Sequence, residues 1–276
     1  PRVNGISFTG STEIGSGIYT EGAKSLKKVQ CEMGGKNAVI VLSDADIDKA
    51  MGGIVQGAFG STGQRCTATS RAIVDEAIYE PFMEELIERT SKLKVGDGIE
   101  PGVDVGPLSS QYQFEKVMEY IGVGTEEGAR LTYGGNHLTG PGYEGGYYIE
   151  PTIFTDVDPS MRIAQEEIFG PVLTVFKARD LAEAIELANS VQFGLSSSIY
   201  TTDLTQAFQY VEQVEAGIVH INAPTLGGEV HLPFGGMKAS GVGAREQGTE
   251  AVNFFSEVVT VYIDYAGATR AQAKFI

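Results

Sequence analysis

Apolar and polar positions change period repeatedly along this chain of 276 residues. A short strand is predicted over residues 5–9, then the turn Gly10-Ser11-Thr12-Glu13-Ile14-Gly15, then a helix to about Ala23. Residues 29–31 read as a strand, and the continuous apolar run 37–42 suits a strand buried on both faces. Ser43 is the expected cap of the next helix, with Asp44 and Asp46 in its first turn, running into Gly57–Gly60. Residues 63–67 form a turn, 71–74 a strand, and Pro81 opens a helix that buries Phe82, Leu86 and Ile87. A glycine- and proline-rich loop covers 96–107, a helix 110–122, and mixed strand and turn signals 128–150. Strand and helix then alternate over 172–176, 181–188, 197–201, 204–214 and 217–221, and a β-prone run closes the pattern at 257–265. Such alternation predicts an α/β fold around a largely parallel sheet.

Composition narrows the function. Hydrophobic residues make up 42% and charged residues 20%, enough apolar mass for a packed core. Twenty Lys and Arg against 36 Asp and Glu leave a net charge of −16, which argues against nucleic acid and against anionic membrane surfaces. A small anionic cofactor remains compatible, because backbone dipoles act locally. Two cysteines, Cys31 and Cys66, are too few for a disulfide framework and suit reduced thiols in the cytoplasm. The histidines His137, His220 and His231 are scattered, with neither HExxH nor CxxC, so no metal site is expected. No apolar run has the roughly 20 residues a membrane span needs. The opening at Pro1, in mid-pattern and without Met, suggests a fragment.

Cys66 lies among Gly63, Gln64, Arg65, Thr67 and Thr69, small or polar neighbours that a core thiol would lack. Backbone N–H groups or a cation near it would favour the thiolate. An active nucleophile and an inert half-buried thiol both fit this context. Glu32 ends an apolar strand and meets Gly34-Gly35 at once, at the sheet edge where α/β proteins bind ligands. It fits a general base, or an ordinary surface carboxylate. The 10–15 turn fits a diphosphate site or a plain tight turn. Cys31 reads as a packed core thiol.

These segments recur in a fixed order with two more, Glu166-Glu167-Ile168-Phe169-Gly170-Pro171 and Pro233-Phe234-Gly235-Gly236-Met237-Lys238. Together they resemble the carboxyl-terminal part of the NAD(P)-dependent aldehyde dehydrogenase superfamily, across essentially the whole chain. The resemblance implies Cys66 as the nucleophile that attacks an aldehyde and Glu32 as the base that activates water for deacylation. It implies Gly10, Ser11 and Gly15 at the cofactor phosphates, Glu167 at the nicotinamide ribose and Phe169 beside the nicotinamide. NAD or NADP is the implied cofactor, with no choice between them. Arg65, Thr67, Gly228, His231 and Phe234 are the implied substrate residues, within a family branch resembling 2,5-dioxopentanoate (α-ketoglutaric semialdehyde) dehydrogenases.

The implied layout is the end of a Rossmann-like cofactor domain (1–33), a catalytic domain (34–235), a return segment (236–256) and an oligomerisation strand with tail (257–276). A homo-oligomer, dimer or tetramer, follows from that terminal strand. The family's other oxyanion donor and its adenosine-binding residues have no counterpart in this chain, so weak or absent dehydrogenase activity is expected of it alone. A cofactor-independent thiol esterase and a non-catalytic structural fragment are the alternative readings.

Overall fold

The computed structural model describes residues 2–263. Two sheets divide the chain. The first begins with β1 (Gly5–Thr9), α1 (Thr12–Ala23) and β2 (Lys28–Glu32). β1 and β2 run parallel, and Ser11 caps α1 by accepting from the Ile14 N–H. The second starts only five residues after β2 ends, at β3 (Asn37–Val41). It continues through α2 (Ile47–Phe59), β4 (Thr69–Asp75), α3 (Tyr79–Ser91) and α4 (Gln111–Glu126). Three short strands follow, β5 (Arg130–Tyr133), β6 (His137–Leu138) and β7 (Tyr148–Ile149), then β8 (Thr152–Thr155) and the one-turn α5 (Arg162–Gln165). Next come β9 (Val172–Ala178), α6 (Leu181–Asn189), β10 (Phe193–Gly194), β11 (Ser196–Tyr200), α7 (Leu204–Gln213) and β12 (Ile218–Ile221). The chain returns through β13 (Met237–Lys238) and β14 (Gly241–Val242) to α8 (Gly248–Phe254).

The large sheet has seven strands in the order β12-β11-β3-β4-β9-β8-β5, parallel except for β5 at its edge. The fold is α/β, as the alternation predicts. Successive residues of β3 serve opposite faces. Ala38 and Ile40 join the core under α4, α6 and α7, while Val39 and Val41 join the core under α2 and α3. Both faces are covered, which is why the strand reads as an unbroken apolar run. The small sheet is β1-β2-β14, with β14 antiparallel to β2.

Several expectations need correction. Asp46, not Ser43, caps α2 by accepting from the Lys49 N–H. Asp44 is diverted to cap residues 201–203 through Thr201, Thr202 and the Asp203 N–H, so the helix starts later. Pro81 sits inside the first turn of α3 rather than opening it, and α4 runs to Glu126, past Gly122. The β-prone run forms no strand over residues 257–263, where Val258, Val259, Val261, Tyr262 and Ile263 stand exposed. Its last two residues, Asp264 and Tyr265, lie outside the described residues. No described helix is long and apolar enough to cross a membrane.

Candidate active site

The site forms where the chain leaves one sheet for the other. Glu32 ends β2, and Met33-Gly34-Gly35-Lys36 carries the backbone to β3. The Glu167 carboxylate and the Cys66 backbone pack against these glycines. A Cβ on Gly34 would lie 2.4 Å from the Glu167 carboxylate, and one on Gly35 would lie 2.7 Å from the Cys66 carbonyl oxygen. A Cβ on Gly235, from the return segment, would lie 2.2 Å from the Glu32 carboxylate. Only glycine allows these approaches without displacement.

Cys66 follows a tight turn in which Ser61, Thr62 and Gly63 all have positive φ. Asn37 anchors that turn to the large sheet. Its Nδ2 donates to the carbonyls of Cys66 and Ala68, both at 2.8 Å, while its Oδ1 accepts from the Ser196 N–H. Thr225 ties in the loop before β13 by donating to the Thr67 carbonyl at 2.7 Å. The thiol is half-buried, and burial pushes it up from its ordinary value, with Glu167 and Glu32 adding to the rise. The backbone N–H groups of Thr67 and of Cys66 itself face the sulfur and pull the other way. The expected backbone N–H groups do favour the thiolate, but burial and the two carboxylates outweigh them. Arg65 points to Ser61, donating from Nε to Oγ at 3.0 Å, and does not stabilise the sulfur. The resting group is a thiol that needs a base.

Glu32 is that kind of group. It is 3% exposed, so the surface-carboxylate reading fails. Burial pushes it up to about 7, against a hydrogen bond from the Gly236 N–H and the nearby Arg245 guanidinium, with Glu246 adding to the rise. A carboxyl balanced near neutrality can give and take protons under working conditions. Its charge adds a small part of the rise at the Cys66 thiol.

Glu167 and its neighbour Glu166 separate in character. Glu166 faces outward, paired with Arg162 and accepting from the Tyr120 hydroxyl, and these bonds hold it below the usual carboxylate range. Glu167 turns inward and accepts from the Gly35 N–H at 2.9 Å; burial pushes it up, opposed by that bond, Lys116 and Lys36. Phe169 has a φ of 60°, a conformation uncommon for an aromatic residue, and Gln113 holds it by donating to the carbonyls of Ile168 and Phe169.

The remaining candidates divide. Gly10 donates its N–H to the Glu32 carbonyl, and Gly15 lets α1 pack on Met33, whose sulfur would sit 2.4 Å from a Cβ there. Ser11 spends its hydroxyl on the helix cap; the N–H groups of Thr12 and Glu13 have no partner among the described residues. Thr67 is buried behind the nucleophile-bearing turn. Phe234 pairs with Glu246 through the backbone and borders Gly228, next to Gly235 and thus to Glu32. Gly228 and His231 are exposed, and the His231 ring makes no hydrogen bond among the described residues.

Sequence reading missed Asn37, Gln113, Lys116, Arg245 and Glu246. The first is one polar residue opening an apolar strand, a signal that was legible. Gln113 and Lys116 look like the wet face of an amphipathic helix. Arg245 and Glu246 lie more than 200 residues from Glu32, and only the β14–β2 pairing brings them near it.

Comparison with known proteins agrees with this geometry. The aldehyde dehydrogenase family model matches residues 1–261. The chain is 46% identical over 261 residues to the alpha-ketoglutaric semialdehyde dehydrogenase of Bacillus subtilis, covering 95% of this chain and 54% of that protein. It is 46% identical over 264 residues to the 2,5-dioxopentanoate dehydrogenase of Saccharolobus solfataricus, with 95% and 54% covered. The crystal structure of an NAD-dependent aldehyde dehydrogenase from Sinorhizobium meliloti superimposes with a TM-score of 0.89 at 39% identity, over 93% of this chain and 50% of that one. The chain spans about half the length of the relatives it matches. With a match that runs through both sheets and every segment of the site, the chain belongs to the aldehyde dehydrogenase family.

Proposed function

We propose that this chain carries the thiol and carboxylate centre of an NAD(P)-dependent aldehyde dehydrogenase that oxidises a semialdehyde to the carboxylic acid. The reading is supported by Glu32 at the end of β2 and by the Cys66 turn, tied through Asn37 to β3, with only Met33-Gly34-Gly35-Lys36 between the two sheets and the Cys66 carbonyl against Gly35. Cys66 gives up its proton to Glu32, which passes it to solvent, and the sulfur bonds to the aldehyde carbon. The oxygen that becomes an alkoxide is held by backbone N–H groups of the Cys66 turn. NAD or NADP, when bound, supplies the hydride acceptor. The Gly34 cradle and the Glu167 carboxylate fit the two hydroxyls of a ribose, since only glycine leaves that carboxylate room. The open N–H groups of Thr12 and Glu13 at the start of α1 suit a diphosphate. The resulting thioester on Cys66 is cleaved by a water that Glu32 deprotonates, releasing the acid and restoring the thiol.

The semialdehyde preference rests on the relatives and on Arg65. Its guanidinium is exposed, bonds a neutral hydroxyl, and has no acidic partner among the described residues. It remains able to receive a substrate carboxylate. Residues 1–33 serve as the end of the cofactor domain and 34–235 as the catalytic domain, with 236–256 returning to the former. The exposed apolar run after α8 pairs with another copy, giving a cytoplasmic dimer or tetramer.

The test is hydrolysis of p-nitrophenyl acetate by this chain, together with NAD(P)H formation from 2,5-dioxopentanoate by a protein that joins it to an amino-terminal half of the length its relatives have. Cys66→Ala abolishes both. Ester turnover that persists in Cys66→Ala overturns the proposal. Cys66-dependent ester turnover in a protein that oxidises no aldehyde with either cofactor favours the esterase reading instead.

A further inference from the structure

Lys36 is the most anomalous group in the molecule. It is 2% exposed, and its amine makes no hydrogen bond or ion pair among the described residues. A buried amine without a partner is costly. Two small cavities, each about 10 Å³ and large enough for one water, meet at this side chain. One is walled by Gly35, Arg65, Ser70 and Glu167. The other is walled by Arg71, Asn189, Ser197 and Glu215 on the far side of β3.

Charged groups surround Lys36 from several elements. Arg65 and Glu215 stand on the two cavity walls, Glu215 being paired with Lys238. Arg71 on β4 lies to one side, each of its three guanidinium nitrogens donating to a carbonyl, those of Lys36, Leu187 and Ala188. Glu166 and Glu167 follow α5, and Lys116 sits on α4. Burial and the cations Arg71 and Lys116 push Lys36 down to about 7, while Glu167 and then Glu166 push back. Glu166 is already satisfied by Arg162 and Tyr120. The unshared attraction is with Glu167.

We propose that Lys36 is a positioning residue for Glu167: its buried ammonium, solvated by a water in each flanking cavity, keeps Glu167 ionised and seated against Gly34 and the Gly35 N–H. The assignment builds on the ribose-binding part of the proposed function, because only an ionised Glu167 accepts from two hydroxyls and the Gly35 N–H together. Removing the ammonium leaves a half-buried carboxylate with the Gly35 N–H as its backbone donor and Lys116 as its remaining cation. Glu167 then takes up a proton at higher pH and releases its grip on Gly35.

The Gly35 amide reports this directly, since its N–H points at Glu167 Oε1. Its nitrogen and proton shifts, followed by NMR against pH in the intact chain without cofactor, give the ionisation midpoint of Glu167. Glu167→Gln removes that transition and identifies it. Lys36→Met is expected to raise the midpoint by one pH unit or more, a tenfold change in proton affinity, and Lys36→Arg to restore most of it. An unchanged midpoint in Lys36→Met overturns the proposal, as does a Lys36→Arg midpoint equal to that of Lys36→Met. Should Lys36→Met not fold, the reciprocal shift decides: Glu167→Gln must lower the titration midpoint of the Lys36 Cε carbon by a comparable amount, and no change overturns it. Neither readout depends on Cys66 or on turnover, so failure here leaves the dehydrogenase reading standing, and failure of that reading leaves this coupling measurable.

Discussion

The two sheets meet at Gly34-Gly35 and differ in how they are held. Every residue of β3 and β11, next to each other in the large sheet, is buried, and both faces carry a helical layer. In the small sheet β1 alternates exposed and half-buried positions, and the core is only Val29, Cys31 and Met33 with a few partly buried neighbours. Cys66 is tied by Asn37 and Thr225 to the large sheet, whereas Glu32 belongs to the small one. Cys66 thus rides on the part of the molecule with the larger core and Glu32 on the part with the smaller one.

The comparison breaks most visibly at buried polar residues. Arg71→Met strands three carbonyls in the large sheet's core and is expected to cost about 3–5 kcal/mol, the range for an uncompensated buried group. Chemical denaturation measures it, and a cost under about 1 kcal/mol would show that the large sheet is not what holds the molecule together.

Asn37→Ala is expected to cost about 1–3 kcal/mol, because it removes the donors to Cys66 and Ala68 and the acceptor for Ser196. It should also slow ester turnover out of proportion to its stability cost. Equal activity per folded molecule would show that the turn holds its shape without this anchor.

Glu32→Gln sharpens the comparison through pH. The folded value of about 7 lies above the unfolded value of 4.5, so the neutral form is the one that folding favours. Wild-type stability is therefore lost relative to the variant as pH rises from 4.5 to about 7. Across that window the variant should gain up to about 3 kcal/mol on the wild type, since each tenfold change in proton affinity is worth about 1.4 kcal/mol. Parallel stability curves would contradict a buried Glu32.

Gln30→Leu is the smallest effect. Gln30 is buried in the small sheet, but its Oε1 has no partner and only its Nε2 bonds Ser7. An apolar replacement of similar shape should change stability by less than about 1 kcal/mol in chemical denaturation.

The same contrast explains what was legible in the sequence. The large sheet's strands are visible because burial on both faces leaves a nearly continuous apolar signature, as at 38–42 and, interrupted only by Thr174, at 172–176. β10, β13 and β14 are two-residue strands that exist only through their pairing, so no local pattern marks them. Cys66 and Glu32 are legible from their small, polar or glycine neighbours and Glu167 only through the family resemblance, while the close approaches at Gly34, Gly35 and Gly235 emerge only in the fold. Their protonation was not legible: the thiol's pKa is raised by burial and two distant carboxylates, none of which its neighbours at 63–69 reveal. Ser43 failed as a cap because residues 201–203 recruit Asp44, a contact across the sheet that local propensity cannot register.

The central claim is that Cys66 and Glu32 act on one water in one space. The most direct measurement is the pH dependence of thioester hydrolysis on Cys66 after acylation by p-nitrophenyl acetate, in wild type and Glu32→Gln. The wild-type rate should climb through a single midpoint near 7, and the variant should be slower by about 10²–10⁴-fold with that midpoint gone. A variant that deacylates at the wild-type rate with the same pH profile would show that residue 32 does not serve the thiol at all.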